Sequence, residues 1–216
     1  LDINFFHVQG VVIDNHGSFI IATSIGVYKG TEDGEIEMIS DTAREIFEIE
    51  WYDEDHVFIG RSEGVWKTNI RTKESEPEFK FGSSESINIS SLFYDEKEKN
   101  LWIGTKAGSL YIYDMKEGTY SCSGPDYLPK NPILAIEANT DSTVMLGFDG
   151  QGLWEMNRQG SDVLNIYRKD EDDPTSLSGN GVYDIFAEED NLVWVATYSG
   201  GVSFFERFSS VVTQIK

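Results

Sequence analysis

Short apolar runs that end in a small residue recur five times along the 216-residue chain. Each run has three apolar residues followed by glycine or alanine, and the runs occupy residues 19–22, 57–60, 101–104, 144–147 and 193–196. A glycine follows four or five positions later in every copy. Successive runs lie roughly 40 to 50 residues apart, the period of a four-stranded propeller blade. The pattern therefore predicts one repeated supersecondary unit.

The residue types in each repeat favour strands over helices. Three consecutive apolar residues bounded by turn signals predict a strand that is buried on both faces, as a blade between two neighbours requires. The small residue indicates close approach of a neighbouring group, and the later glycine suits a hairpin turn with positive φ. Recurring glycines and abundant β-branched and aromatic residues argue against helices. We therefore predict an all-β fold, a β-propeller with five four-stranded blade repeats.

A second apolar signal precedes each run and places the innermost strand of each blade. An aliphatic residue lies fourteen or fifteen positions before the small residue, and another follows three residues later. These pairs predict innermost strands near residues 8–13, 46–52, 89–94, 133–138 and 182–187. The predicted blades cover approximately residues 7–40, 45–82, 87–124, 131–168 and 180–216. Residues 1–6 are predicted to form the outer strand of a preceding blade.

Two copies of the repeat carry a more specific likeness. The segments SLSGNGV at 176–182, VWVAT at 193–197 and GGV at 200–202 resemble the two-component regulator propeller repeat, and so do LWIGT at 101–105 and LYIYD at 110–114. The resemblance covers essentially the whole chain. Arg61 and Phe148 stand where the family usually has threonine, and Ala22 and Ala196 stand where it usually has glycine. These departures are compatible with the same fold.

The resemblance implies a location and a role. The family is found in periplasmic sensor regions of hybrid histidine kinases, most abundantly in gut Bacteroides-type bacteria that sense glycans. It implies a non-catalytic sensor module in the periplasm that binds a glycan or a partner domain on the propeller loop face and contributes to transmembrane signalling. The implied partners are other blades or domains of the same receptor, an oligosaccharide, and a second receptor copy in a homo-oligomer. Alternatives are a structural scaffold for receptor dimerisation and a propeller glycosidase or lyase.

The number of repeats bears on the size of the parent protein. Sensors of this family commonly carry seven-bladed propellers, whereas this sequence holds five repeats and one leftover strand at residues 1–6. We therefore expect the chain to be part of a larger propeller. The competing interpretation is a closed five-bladed ring in which residues 3–6 supplement the last blade.

Charge narrows the range of ligands. The formal net charge is −21, which disfavours nucleic acid, because affinity for it depends on Lys and Arg that neutralise phosphate. A neutral glycan or a protein suits such a surface better than a heparin-like polyanion. No apolar run approaches the roughly 20 residues that a membrane-spanning helix needs. Cys122 is the sole cysteine, so no intrachain disulfide forms, and we expect it to pack inertly in an outer strand.

Signals for catalysis or metal binding are weak. The three histidines, His7, His16 and His56, show no ligand spacing, and no known catalytic motif is present. The acidic turn at 53–55 beside His56 and the acidic run at 170–173 fit solvated loops better than cation sites. We therefore predict no catalytic residue, no metal ligand and no cofactor.

The propeller topology itself indicates a binding face. Loops from the second to the third strand of each blade, and loops between blades, emerge on the same side. The ligand-binding candidates on these loops are Arg61, Lys106, Asp149, Gln151, Tyr198, Asn131 and Asn180. Amides and charged groups read sugar hydroxyls, and an aromatic ring stacks on the apolar face of a sugar or packs on a peptide. In the alternative interpretation the asparagines cap turns and Tyr198 packs on the rim.

Overall fold

A computed structural model describes residues 7–13, 18–30, 34–40, 46–82, 87–140, 142–188, 192–207 and 212–215. These residues form strands and no helix. The first two blades are β1 (Val8–Ile13), β2 (Phe19–Thr23), β3 (Gly26–Gly30) and β4 (Ile36–Ser40), then β5 (Ile46–Asp53), β6 (His56–Arg61), β7 (Gly64–Asn69) and β8 (Ser75–Lys80). The third blade is β9 (Ile89–Asp95), β10 (Asn100–Thr105), β11 (Leu110–Asp114) and β12 (Thr119–Ser123). The last two are β13 (Ile133–Ala138), β14 (Thr143–Phe148), β15 (Gly152–Asn157) and β16 (Val163–Tyr167), then β17 (Val182–Ala187), β18 (Leu192–Thr197), β19 (Gly201–Glu206) and β20 (Thr213–Ile215).

Each blade is a four-stranded sheet in which strands pair in chain order. This arrangement confirms the predicted all-β fold with five four-stranded propeller blades, and the innermost strands begin where the aliphatic pairs place them. The chain divides after Glu96 into two compact units, with β1 to β9 in the first and β10 to β20 in the second. Residues 1–6, predicted as a leftover outer strand, lie outside the described residues. The larger propeller therefore stays a prediction.

A β-bulge recurs in the innermost strands. The register shifts between Val8 and Gly10 in β1, and it shifts at the matching positions of β5, β13 and β17. Side chains three residues apart point to opposite faces of a regular strand, but one extra residue restores them to the same face. Ile46 and Ile49 accordingly belong to one buried cluster. The bulge is the physical reason for the three-residue spacing of the aliphatic pair.

Consecutive blades bury apolar faces against each other within each unit. In the first unit, Ile20 and Ala22 of β2 share a buried cluster with Ile46 and Ile49 of β5. The same registers meet in the second unit, where Met145 of β14 clusters with residues of β17 and β18, namely Val182, Ile185, Val193 and Val195. The apolar positions that recur in every repeat therefore form the surfaces through which neighbouring blades pack.

The small residue of each run lies against the next innermost strand, as the sequence predicts. A Cβ built on Gly60 would lie 3.0 Å from Ile89 Cγ2 and 3.3 Å from Leu92 Cδ1. A Cβ built on Gly147 would lie 2.6 Å from Val182 Cγ1. A larger residue at either position therefore requires the neighbouring strand to move.

Gly60→Ala tests this close approach. We expect it to lower the free energy of unfolding by about 1–2 kcal/mol, because the added methyl group overpacks the contact with Ile89 and Leu92. Urea denaturation of both proteins measures the difference. An unchanged midpoint would show that the contact adjusts without strain.

The turn glycines of the second to fifth blades have the predicted positive φ, which is 75° at Gly108, whereas Gly26 of the first blade does not. A Cβ on Gly108 would also lie 2.5 Å from the backbone carbon of Lys130, so this turn needs glycine for two independent reasons. One other prediction fails. Cys122 is exposed, not packed, because the outer strand β12 faces solvent along most of its length.

Candidate functional site

Two exposed tyrosines stack on each other at the loop end of the fifth blade. Tyr183 lies at the start of β17 and Tyr198 lies in the turn between β18 and β19. Their ring centroids are 5.8 Å apart and the ring planes differ by 26°. Tyr183 is 52% exposed and Tyr198 is 69% exposed. Together the two rings present an aromatic surface to solvent.

Gly181 brings a carboxylate close to these rings. The Tyr198 amide donates a hydrogen bond to the Gly181 carbonyl oxygen at 2.8 Å. A Cβ on Gly181 would lie 3.1 Å from Tyr198 Cβ, 3.7 Å from Asp149 Oδ1 and 3.8 Å from Tyr183 Cε2. The missing side chain thus lets an exposed carboxylate from the fourth blade approach the tyrosine pair. We call Asp149, Tyr183 and Tyr198 the tyrosine site.

Backbone hydrogen bonds fix the loop that carries Asp149. Its amide donates to the Pro132 carbonyl oxygen at 3.0 Å, and its carbonyl oxygen accepts a hydrogen bond from Asn131 Nδ2 at 2.9 Å. Asn180 Oδ1 accepts a hydrogen bond from the Lys169 amide at 2.7 Å. The two predicted asparagines therefore hold loops in place beside the tyrosine site, as the turn-capping interpretation expects.

A second aromatic group lies at the same end of the fourth blade. Gln151 Oε1 accepts a hydrogen bond from Arg168 Nη2 at 3.2 Å, and the Gln151 carbonyl oxygen accepts one from Trp154 Nε1 at 3.0 Å. The Arg168 guanidinium carbon lies 5.8 Å from the centroid of the Trp154 ring. Tyr127 is largely exposed, and its ring centroid lies 6.4 Å from that of Trp154. Gln151 therefore anchors a cation next to aromatic surface.

A cavity of about 530 Å³ opens beside the turn that carries Tyr198. Its walls come from the loop between β16 and β17, the turn between β18 and β19, and the last strand, and the residues are Lys169, Asp170, Glu171, Asp173, Pro174, Ser178, Ser199, Gly200, Gly201 and Gln214. Lys169 Nζ pairs with Glu171 Oε1 at 2.6 Å. The volume falls in the range of pockets that hold small ligands, roughly 300–1,000 Å³.

The acidic run in this loop is exposed, as the sequence predicts, and its side chains bond to the loop backbone. Asp173 Oδ1 accepts hydrogen bonds from both the Thr175 amide and its hydroxyl, at 2.8 and 2.6 Å. The same bonds lower the pKa of Asp173, the hydroxyl bond most. Gln214 Nε2 donates to the Ser176 carbonyl oxygen at 3.0 Å and ties the loop to β20. The carboxylates therefore shape the cavity wall.

The other two predicted site residues belong to the second and third blades. Arg61 ends β6 in the first unit, where it is only 5% exposed and its guanidinium carbon lies 4.7 Å from the centroid of the Trp66 ring. Burial over an aromatic face leaves little of this side chain for a ligand. Lys106 is exposed on the turn between β10 and β11 of the third blade.

The His56 turn is a hydrogen-bonded hairpin. His56 Nδ1 lies 2.8 Å from Asp53 Oδ1, and Asn69 Nδ2 lies 3.1 Å from His56 Nε2. Burial raises the pKa of Asp53, but the hydrogen bonds from the Asp55 amide and from His56 outweigh it and keep that pKa below its ordinary value. Both ring nitrogens therefore have protein partners, in line with the expectation of a turn and not a cation site.

Among the described residues, no group of three or more His, Cys, Asp or Glu side chains is placed to hold a metal ion. Nor does that part of the chain contain a helix long and apolar enough to cross a membrane.

At the tyrosine site a sugar ring can stack on Tyr198 while its hydroxyl groups donate to the Asp149 carboxylate, since a carboxylate accepts several hydrogen bonds.

The argument from loop position does not select two residues of this region. Tyr183 belongs to β17, and Arg168 follows the outer strand β16. Tyr183 directly follows Val182 of the buried aliphatic pair, so strand alternation indicates that it points to the opposite face from Val182. That alternation is a usable signal. Arg168 carries no comparable signal, because its contact with Gln151 depends on tertiary packing.

Comparisons with known proteins support the fold. No family model matches the sequence, and no curated protein matches it either. Among solved structures, the extracellular domain of BT4673 from B. thetaiotaomicron, described as a hybrid two-component system, matches 91% of this chain with 18% identity and a TM-score of 0.73. The extracellular domain of BT3049 from the same organism, described in the same way, matches 91% with 17% identity and a TM-score of 0.66.

A lyase shares the same architecture. Virginiamycin B lyase from Staphylococcus aureus, in a catalytically inactive form with quinupristin, matches 95% of this chain with 10% identity and a TM-score of 0.69. The chain spans 27% and 26% of the lengths of the two extracellular domains and 72% of the length of the lyase. Likeness at such identities shows a shared β-propeller fold. The structural neighbours include extracellular domains of the receptor class that the repeat resembles.

Proposed function

We propose that this chain is a non-catalytic, extracytoplasmic sensor module of a hybrid two-component regulator, and that the tyrosine site binds a neutral oligosaccharide. The regulator would lie in the inner membrane with this module in the periplasm. Ligand binding on the loop face would change how the module docks within the receptor and so bias the kinase.

The observation that carries the proposal is the exposed tyrosine pair beside Asp149. Two exposed aromatic rings that stack on each other form contiguous apolar surface, and exposed apolar patches are typical of ligand-binding sites. Here the stacked rings adjoin a carboxylate whose own loop is held by backbone hydrogen bonds. This geometry offers both an apolar platform and a hydroxyl acceptor. The likeness of the fold to extracellular domains of two hybrid two-component systems supports the sensor role.

Charge favours a neutral ligand over an anionic one. The net charge of −21 repels polyanions at long range. Asp149 adds a negative charge at the site itself, so a carboxylated or sulfated sugar would meet repulsion where a neutral sugar finds an acceptor. We therefore propose neutral hexose or pentose oligomers as the ligand class.

Calorimetric titration with a panel of neutral oligosaccharides tests the proposal. We expect saturable binding by at least one of them, and we expect Tyr198→Ala to weaken it by about tenfold through loss of the stacking surface. Tyr120→Ala is the matched control, because Tyr120 is also exposed and also contacts a second tyrosine, but lies on the outer strand β12. This control should bind as tightly as the unmodified chain.

Two results would contradict glycan binding at this site. One is the absence of saturable binding across the panel, which would favour a scaffold or a site for a partner domain. The other is equal affinity of the Tyr198→Ala and Tyr120→Ala variants for a sugar that does bind, which would move the site elsewhere.

A propeller lyase is the second candidate, because the chain shares its fold with virginiamycin B lyase. Product analysis separates a lyase from a sensor, since a lyase converts its substrate. Chromatography of each sugar after overnight incubation should return it unchanged. A new product that forms in proportion to protein concentration would support the enzyme and overturn the sensor-only proposal.

A further inference from the structure

The outer strand of the fourth blade has an exposed apolar edge. This strand, β16, reads VLNIY and contains no charged residue and no proline. Leu164 is 51% exposed and Ile166 is 46% exposed. Among the described strands, its hydrogen-bonded neighbour is β15 alone. The backbone N–H and C=O groups on its other edge can therefore pair with a further strand.

The outer strands of the other blades carry stronger protection against such pairing. β4 and β8 contain glutamates, and β8 also contains a proline. β12 has hydroxyl side chains at four of its five positions, and β20 has only three residues. Proteins keep an edge strand unpaired by charge, proline, bulges and short length. Of these features β16 has only a bulge, at Leu164, so its edge suits an added strand best.

Charges of opposite sign lie at the two ends of β16. Asp162 precedes the strand and Arg168 follows it, and both are exposed. Arg168 donates from Nε and Nη2 to Gln151, at 3.3 and 3.2 Å, which uses two of the five N–H groups of a guanidinium. Asp162 Oδ2 accepts a hydrogen bond from Ser161 Oγ at 2.7 Å, and a carboxylate accepts several such bonds. Both charged groups can therefore bind a further partner.

The segment from Asp162 to Arg168 is complementary to a second copy of itself. When two such strands pair antiparallel with Asn165 opposite Asn165, Leu164 of one copy lies opposite Ile166 of the other. In the same register Asp162 lies opposite Arg168, and two-fold symmetry makes each of these pairs occur twice. Apolar pairs and opposite charges across strands both stabilise a sheet. A parallel arrangement in register would instead place like charges together.

We propose that two copies of this chain associate edge to edge through β16, in the antiparallel register centred on Asn165. The four-stranded sheets of the two fourth blades then join into one sheet. The contact is isologous, so association stops at the dimer. Because each copy carries a net charge of −21, moderate salt should strengthen association by screening the long-range repulsion. The proposal does not depend on ligand binding at the tyrosine site.

Sedimentation equilibrium at concentrations up to about 1 mM tests the contact, since an interface of one strand per copy is small and weak. We expect monomer and dimer and no larger species. Ile166→Glu should weaken the dimer by at least about tenfold, because it places two carboxylates in the apolar part of the contact. Ile36→Glu is the matched control, since Ile36 is 47% exposed and lies on the outer strand β4. This variant should dimerise as well as the unmodified chain.

Charge reversal tests the register. Asp162→Lys and Arg168→Glu should each weaken the dimer by about tenfold, because like charges then lie opposite each other. An equimolar mixture of the two variants should regain the original affinity, since every charge again lies opposite one of the other sign. Thermal unfolding of each variant checks that it folds.

Three results would overturn the proposal. The first is a chain that stays monomeric over the whole concentration range in moderate salt. The second is equal weakening of the dimer by Ile166→Glu and Ile36→Glu, which would place the contact elsewhere. The third is a mixture of the folded charge variants that associates no more tightly than either variant alone.

Discussion

Trp102→Ala is expected to lower the free energy of unfolding by about 3–5 kcal/mol, the range for removing a large aromatic side chain from a packed core. Trp102 has the largest fully buried side chain among the described residues. It lies in β10 opposite Ile112 of β11, and its ring approaches the turn at Gly160 of the fourth blade. Its removal would leave a cavity that the surrounding strands cannot close. Urea denaturation followed by fluorescence and circular dichroism measures the loss.

Trp194→Ala is the internal control, since Trp194 holds the same position of the repeat in the fifth blade. Its ring is only partly buried, and its Nε1 donates to Glu188 Oε1 at 2.6 Å. We expect this change to cost about 1–2 kcal/mol, from partial loss of apolar burial and one hydrogen bond. Equal losses for the two tryptophans would mean that another surface covers Trp194 in solution.

Stability should fall as the pH rises from about 4.5 to about 7, because of Glu137. Burial raises the pKa of this carboxyl to about 7, although a hydrogen bond from the Ala138 amide opposes the shift; Asp184 raises it further and Arg207 lowers it. The folded chain therefore holds a proton that the unfolded chain releases near pH 4.5. The associated loss is about 3 kcal/mol across this window, and it levels off above pH 7.

Glu137→Gln isolates this contribution from the other carboxylates. Glutamine keeps an oxygen that can accept the Ala138 hydrogen bond at 2.9 Å. We expect the variant and the unmodified chain to be equally stable near pH 4.5, and the variant to be more stable by about 3 kcal/mol at pH 8. Denaturation at several pH values measures the difference. Parallel pH profiles for the two proteins would contradict the role of Glu137.

The fold is predictable from the sequence because every blade must satisfy the same packing constraints. A strand between two neighbours needs apolar residues on both faces, and a close approach needs a small residue such as Gly60 or Gly147. Because the blade is repeated, the same residue types recur at the same positions of all five repeats, and five weak local signals support each other. The three-residue spacing of Val8 and Val11 locates the innermost strand, but its cause, the bulge, is visible only in the register of the strands.

The candidate site is less predictable because loop position does not determine where a side chain points. Topology places Tyr198 and Asp149 on the loop face, and the structure brings both beside Gly181. The same argument selects Arg61, which instead lies buried over Trp66. The pairing of Tyr198 with Tyr183 depends on the angle between a turn and a strand, and residue spacing contains no information about that angle.

The position of a residue in the repeat also does not predict how exposed its side chain is. Trp102 and Trp194 have equivalent positions in the repeat, and the sequence predicts core packing for both. Only Trp102 is fully buried. The position in the repeat identifies a surface that suits a neighbouring blade, whereas burial requires that a neighbour be present.

Pairing of strands in chain order has a consequence for folding kinetics. Among the described strands, every hydrogen-bonded pair joins neighbours in sequence, so each blade forms by closing short loops, which carry a small entropic cost. Proteins rich in local contacts fold faster than those with distant strand pairings. This chain is therefore expected to fold faster than a β-sandwich of the same length, with blades that form locally and then propagate order to their neighbours.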